Sequence, residues 1–175
     1  MRKILAFSGS MSNDSINHQL VKCASSLIEN ANVEVIRLSD FEVPLYSKER
    51  EAQSGIPELI QQLREKFDSV DGFILSTPEY NSSVPAGLKN TLDWISRMEG
   101  KIFQDKPVLL MSATPGGRGG QSVLGHLSAI IPFWGAKLIG PFSLPVFKDN
   151  LQDEVLNEPF HSDLKVHLKK LELAI

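Results

Sequence analysis

The chain has 175 residues, enough for one domain with a substantial core, residues 1–175 throughout. A hydrophobic content of 42 % and a charged content of 22 % are those of a globular protein and exclude disorder. A formal charge of −3 and a pI of about 5.8 exclude the basic face that nucleic acid requires, and the lone Cys23 excludes an internal disulfide framework.

Arg2 and Lys3 precede apolar residues, as in a secretory signal, but the apolar run Ile4–Phe7 is far too short for one. No segment has the length needed to cross a bilayer, so a cytoplasmic protein without membrane association is expected. "KILAF" (3–7) reads as a first strand. From Ile16, apolar residues recur at Leu20, Cys23, Ala24, Leu27 and Ile28, one face of a helix that buries Cys23 as a small hydrophobe. "VEVIRL" (33–38) reads as a second strand, and residues 39–55 as a polar loop whose charged run at 48–51 is solvated surface. Leu59, Ile60, Leu63 and Phe67 mark a second helix, with Pro57 near its first turn.

"GFILS" (72–76) is a third strand, followed by a helix through Leu88, Leu92 and Ile95. "VLLMSA" (108–113) is a fourth, followed by a helix through Leu124, Leu127, Ile130 and Ile131. "AKLIG" (136–140) is a fifth strand, after which Pro141, Pro145 and Pro159 break regularity, and Leu164, Leu168 and Leu171 predict a closing helix. Strands alternating with helices imply a parallel sheet with right-handed crossovers. Continuous apolar strands imply helices on both faces. The expected fold is α/β: a flavodoxin-like three-layer sandwich with a five-stranded sheet of order 2-1-3-4-5.

In such sheets ligands bind beyond the carboxyl ends of the strands at the switch point, here between strands 1 and 3. The loops that meet there are rich in Ser, Asn, Gly and Pro. "SGSMSNDSIN" (8–17) joins a strand to a helix, whose first N–H groups and dipole suit an anion. Ser10, Ser12, Ser15 and the amide of Asn17 add donors beyond the one side chain that helix capping needs. The loop lacks the Gly-Lys-Ser/Thr ending of a triphosphate loop and the glycines of a dinucleotide fingerprint, so a mononucleotide phosphate is the expected anion. In "TPEYNSSVPAGLKNTLDW" (77–94), Pro78 and Pro85 bracket a rigid turn. The N–H groups of Glu79, Tyr80 and Asn81 are expected to face a planar ring that Tyr80 walls. "SATPGGRGGQS" (112–122) allows close backbone approach at its glycines.

"GSMSNDSIN", "PEYNSSVPAGLKNTLDW" and "SATPGGRGG" resemble the three motifs of the NADPH-dependent FMN reductase-like family, which includes quinone, chromate and azo-dye reductases. The likeness extends over residues 3–140 and includes "PLYSKE" (44–49). It implies bound FMN, its phosphate on Ser10, Ser12, Ser15, Ile16 and Asn17. The ring is then expected against Pro78, Glu79, Tyr80 and Asn81, with Ser112, Thr114, Gly116 and Gly117 on the other side. It also implies NADPH or NADH as donor, and a small-molecule acceptor such as a quinone, azo compound, metal oxyanion or free flavin. A homodimer or homotetramer with the flavin near a subunit interface follows from the same resemblance. The family commonly has Arg where this chain has Ser12, which leaves Arg118 or a neighbouring subunit to compensate.

Hydride transfer to a flavin needs no general base, so no catalytic residue is expected beyond a role for Tyr80 and Arg118 in orienting the nicotinamide. His161 and His167 are six apart, on different helix faces, and make no zinc pair. "GQSVLG" misses the nucleophile elbow by one position. The competing readings are a flavodoxin-type electron carrier and a flavin-binding stress or regulatory protein; a carrier is typically far more acidic than this chain.

Overall fold

The computed structural model describes residues Met1–Ile175. Its main sheet contains β1 (Arg2–Ser8), β2 (Ala31–Arg37), β3 (Gly72–Ser76), β4 (Lys106–Ala113) and β5 (Ala136–Leu144), all parallel, in the order β2-β1-β3-β4-β5. That is the expected topology. Helix α1 (Ile16–Ser26) links β1 to β2, while α2 (Lys48–Ser54) and α3 (Glu58–Asp68) lead to β3. Then α4 (Ala86–Ile95) and α5 (Gln121–Ile130) make the next two crossovers, and α6 (Phe147–Asn150) and α7 (Phe160–Ala174) follow β5.

Side chains alternate across each strand, and the inner strands β1, β3 and β4 are covered on both faces, which is why they are nearly continuous apolar runs, whereas the edge strand β2 exposes Asn32, Glu34 and Val35. Leu5, Phe7, Phe73, Leu75, Val108 and Leu110 face α3, α4 and α5. Ile4, Ala6, Ile74, Leu109, Met111 and Phe142 face the layer of α1 and α7, which contributes Leu20, Val21, Leu164, Leu168 and Leu171. Cys23 is 2 % exposed within this second layer, the buried small hydrophobe expected. The chain moves from β1 outward to β2 and then crosses back over to β3. Right-handed crossovers in opposite directions put their helices on opposite faces. The crevice where the faces diverge lies between β1 and β3.

Three segments depart from expectation. The 39–55 stretch contains a 3-10 turn (Leu38–Phe41) and α2. Helix α2 buries no residue, so it has no apolar periodicity to read; Ser47 caps it by accepting the Arg50 N–H, and Gly55 ends it at φ 71. Strand β5 runs past Pro141 to Leu144. It is an edge strand with a register shift opposite Leu109–Met111, where a missing N–H is tolerated. The tail adds a small hairpin, β6 (Leu151–Gln152) with β7 (Val155–Leu156), before α7.

Candidate active site

The three loops leave the sheet at one level because each first residue extends the backbone ladder. Gly9 N–H donates to Ser76 O at 2.8 Å, Thr77 N–H to Met111 O at 2.9 Å and Thr114 N–H to Leu144 O at 3.1 Å. Gly9 allows the first loop to lie on α4: a Cβ there would stand 2.7 Å from Leu88 Cδ2 and 3.1 Å from Thr77 Oγ1. The loops enclose a cavity of about 270 Å³ lined by residues of all three. Depressions of about 340 and 410 Å³ lie elsewhere, and neither shares a residue with this cavity.

The first loop is built by its own serines. Ser10 N–H donates to Ser8 Oγ and Ser12 N–H to Ser10 Oγ, both at 3.2 Å. Ser8 and Ser15 hydroxyls stand 3.4 Å apart, and Ser15 caps α1 by accepting the His18 N–H at 3.2 Å. These contacts satisfy loop amides through the serine oxygens. Ser10 and Ser15 are buried in the wall, and Ser12 is exposed and joins the loop only through its N–H. Ile16 and Asn17 also line the cavity. As the first two residues of α1 they have N–H groups without intrahelical partners, at the positive end of the helix.

The side chain of Asn17 is not a free donor. It is 1 % exposed, donates from Nδ2 to Ala113 O at 2.9 Å, and accepts at Oδ1 from Ala113 N–H at 2.8 Å and Ser76 Oγ at 2.7 Å. Its backbone N–H remains at the wall while its amide ties α1 to the ends of β3 and β4.

Pro78, Glu79 and Tyr80 line the cavity; Asn81 does not. Tyr80 and Ser83 exchange both backbone bonds, at 3.1 and 3.0 Å, around a turn with Asn81 at φ 51 and Ser82 at φ 62. That turn engages the Tyr80 N–H, leaving its half-exposed ring as its contribution to the wall. The Glu79 carboxylate accepts the Val123 N–H at 3.0 Å and so caps α5, an interaction the helix dipole favours. On the outer side of the turn, Ser83 Oγ lies 3.1 Å from His126 Nδ1.

In the third loop Thr114 lines the cavity, whereas Ser112, Gly116 and Gly117 do not. Ser112 is fully buried and donates to Thr77 O at 2.7 Å, joining the roots of the second and third loops. Gly116 and Gly117 are exposed, and a Cβ on either would meet nothing within 4 Å. The glycines the fold requires are Gly119 (φ 58) and Gly120 (φ 73), where a Cβ would run into Ser143 and Ser112 respectively. A further segment the sequence did not flag clamps this loop: Val146 N–H donates to Gly116 O and Phe147 N–H to Thr114 O, both at 3.0 Å.

Asp14, Ala113 and Pro115 line the cavity without having been anticipated. Asp14 was within reach of sequence reasoning, since it lies between Ser12 and Ser15. The wall contains two carboxylates, Asp14 and Glu79, and no Lys or Arg. Arg118 is exposed, bonded to Ser122 at 3.1 Å, and outside the wall.

A family model described as NADPH-dependent FMN reductase matches residues 2–149. The chain belongs to this family. It is 33 % identical over 138 residues to a quinone reductase of Escherichia coli (strain K12), covering 78 % of this chain and 73 % of the relative. It is also 33 % identical over 170 residues to an NADPH:quinone oxidoreductase of Arabidopsis thaliana, covering 89 % and 85 %. Its fold is similar to that of FerB, a flavoenzyme NAD(P)H:(acceptor) oxidoreductase of Paracoccus denitrificans. That match has a TM-score of 0.84 and 24 % identity, and covers 99 % of this chain and 97 % of the other. As a member of the NADPH-dependent FMN reductase family, the chain is an oxidoreductase whose cofactors are FMN and a reduced nicotinamide. No helix is long and apolar enough to cross a membrane.

Proposed function

We propose that residues 1–175 act as one FMN-binding domain, and that the three-loop cavity is where FMN binds. The carrying observation is the cavity's position and donor set: it opens at the carboxyl ends of β1, β3 and β4, with the unpartnered N–H groups of Ile16 and Asn17 on one wall and Pro78, Tyr80 and Pro115 among the residues of the others. The N–H groups of Ile16 and Asn17 and the hydroxyls of Ser10, Ser12 and Ser15 would hold the phosphate. Pro78, Tyr80, Thr114 and Pro115 would border the ring, while Glu79 positions the second loop by capping α5. Asn81 and Ser112 would act from outside the wall, through loop shape, while Gly116 and Gly117 lie outside it. At about 270 Å³ the cavity is just below the usual range of about 300–1,000 Å³ for small-molecule sites. It would receive part of the cofactor and leave the rest open to partners.

Bound FMN supplies the relay of two electrons between a reduced nicotinamide and a small acceptor. The protein's part is to bind and orient. No side chain of the wall forms a base–nucleophile pair, in keeping with a transfer that needs neither. Tyr80, 49 % exposed, offers an aromatic surface at the mouth where nicotinamide and acceptor would stack in turn. The acceptors proposed are quinones first, then azo compounds, metal oxyanions and free flavin. Two names among the similar proteins support the quinone reading.

We further propose a cytoplasmic enzyme that works as a homodimer or homotetramer. Exposed Phe133 (84 %) and Leu45 (69 %) support self-association.

The test is FMN titration of the purified protein, followed anaerobically by NADPH or NADH and then by a quinone. Expected are saturable quenching of flavin fluorescence, bleaching by a nicotinamide and recovery of colour with the quinone. Absence of flavin binding would overturn the proposal. Bleaching only by an added reductase protein would favour an electron carrier. Light scattering during size exclusion reads the oligomer, and a monomer at micromolar concentration would refute self-association.

A further inference from the structure

The cavity wall has no cation, and its two charged side chains are carboxylates, one of them, Asp14, in the loop that is to hold the phosphate. Arg37, the last residue of β2, pairs in register with Ser8, the last residue of β1, and so sits at the root of the first loop. Its Nη1 donates to the Asn13 carbonyl at 3.1 Å, between Ser12 and Asp14, which both face the cavity. Arg37 is half-buried and forms no ion pair, whereas Arg2, Arg64 and Arg97 are paired with Asp71, Asp68 and Glu51. Its charge is therefore uncompensated by any carboxylate in direct contact.

We propose that Arg37 is the positioning residue that gives the first loop its preference for a phosphorylated flavin over an unphosphorylated one. It acts through the Asn13 carbonyl, which it holds, and through its charge beside the first turn of α1. This rests on the FMN reading above.

The field of Arg37 reaches that turn. His18, the third residue of α1, is held below the ordinary imidazole range first by burial and then by Arg37 and Lys22, with Asp40 opposing. A positive charge that discourages a proton on His18 favours an anion beside the adjacent N–H groups of Ile16 and Asn17. The hydrogen bond also fixes residues 12–14, so Ser12 keeps its place in the wall. Arg37 thus supplies from the neighbouring strand the charge that Ser12 does not.

The experiment measures dissociation constants for FMN and riboflavin by fluorescence, at low and high salt, for wild type, Arg37→Gln and Arg37→Lys. In Arg37→Gln the FMN constant should rise roughly ten-fold, while that for riboflavin stays within about two-fold. Arg37→Lys should keep most of the preference. Salt should weaken FMN binding to wild type more than to Arg37→Gln, because screening removes what the charge contributes. Equal weakening of both flavins would mean a loop-shaping role only and overturn the proposal, as would no weakening of either. Should Arg37→Gln not fold, wild type decides: FMN affinity unchanged from about 50 to about 500 mM salt overturns it. Wild type binding neither flavin overturns the FMN reading itself, and this inference with it.

Discussion

Asn17 and Ala113 hold each other through two hydrogen bonds, Nδ2 to the Ala113 carbonyl at 2.9 Å and the Ala113 N–H to Oδ1 at 2.8 Å. One buried amide thereby fixes the start of α1 against the end of β4, and through Ser76 Oγ, 2.7 Å from Oδ1, against the end of β3. The walls of the cavity are registered to one another by this side chain. Asn17→Ala would leave a buried N–H, a buried carbonyl and a buried hydroxyl without partners. The expected loss of stability is about 2–4 kcal/mol, with weaker FMN binding, measured by urea unfolding and flavin titration. A loss under about 1 kcal/mol would show that the amide is dispensable.

The glycine loop separates into two classes. Gly120→Ala places a Cβ against Ser112 at a backbone with φ 73, and should destabilise by about 2 kcal/mol or more. Gly116→Ala meets nothing within 4 Å and should change stability by no more than about 0.5 kcal/mol. Thermal unfolding of the pair checks the contrast, and equal effects would contradict it.

Ser12→Arg should tighten FMN binding, on the order of 1–3 kcal/mol, by adding a charge-assisted donor to a wall whose only charges are Asp14 and Glu79. Asp14→Asn should act in the same direction by removing a repulsion. An unchanged or raised FMN dissociation constant in Ser12→Arg would sink the idea.

Acid should destabilise the fold before its carboxylates titrate. His18 and His167 are both held below the ordinary 6.5, chiefly by burial, and the Nδ1 of each is buried without a partner. Asp163, 3.6 Å from His167 Nε2, works against this and is outweighed. The unfolded chain therefore binds these protons more readily. Stability falls as pH drops from 6.5 towards the folded values and levels off below them. Asp71, held below 3.8 first by the Lys3 N–H and also by Arg2, loses its contribution only in a more acid range. The melting temperature should decline as the pH falls through 6.5, and His167→Gln should make that decline shallower. An equal decline in the variant would assign it elsewhere.

Inner strands, helix faces and sheet order are legible in the sequence because burial on both faces leaves a continuous apolar signal, as in Gly72–Ser76, where run and strand coincide. Helix α2 was not legible because it buries nothing, and residues 141–144 were not because an edge strand accommodates proline. The three loops were legible by composition, and the family by their motifs. What composition could not convey is where each polar atom is used. Asn17, Ser112 and Tyr80 carry groups that look free in the sequence, but each group is engaged by backbone far away in the chain or across a turn: Ala113, Thr77 and Ser83.

The layers, the switch point and the family are readable from the residues alone, since these follow from periodicity and short local motifs. Which residues of the three loops face the cavity, and that Arg37, outside every motif, lies beside the first loop, are set by the three-dimensional packing. The reason is that hydrogen-bond satisfaction and charge are settled by neighbours in space. β1 meets β2 through a pairing of Ser8 with Arg37, and no local pattern records that contact.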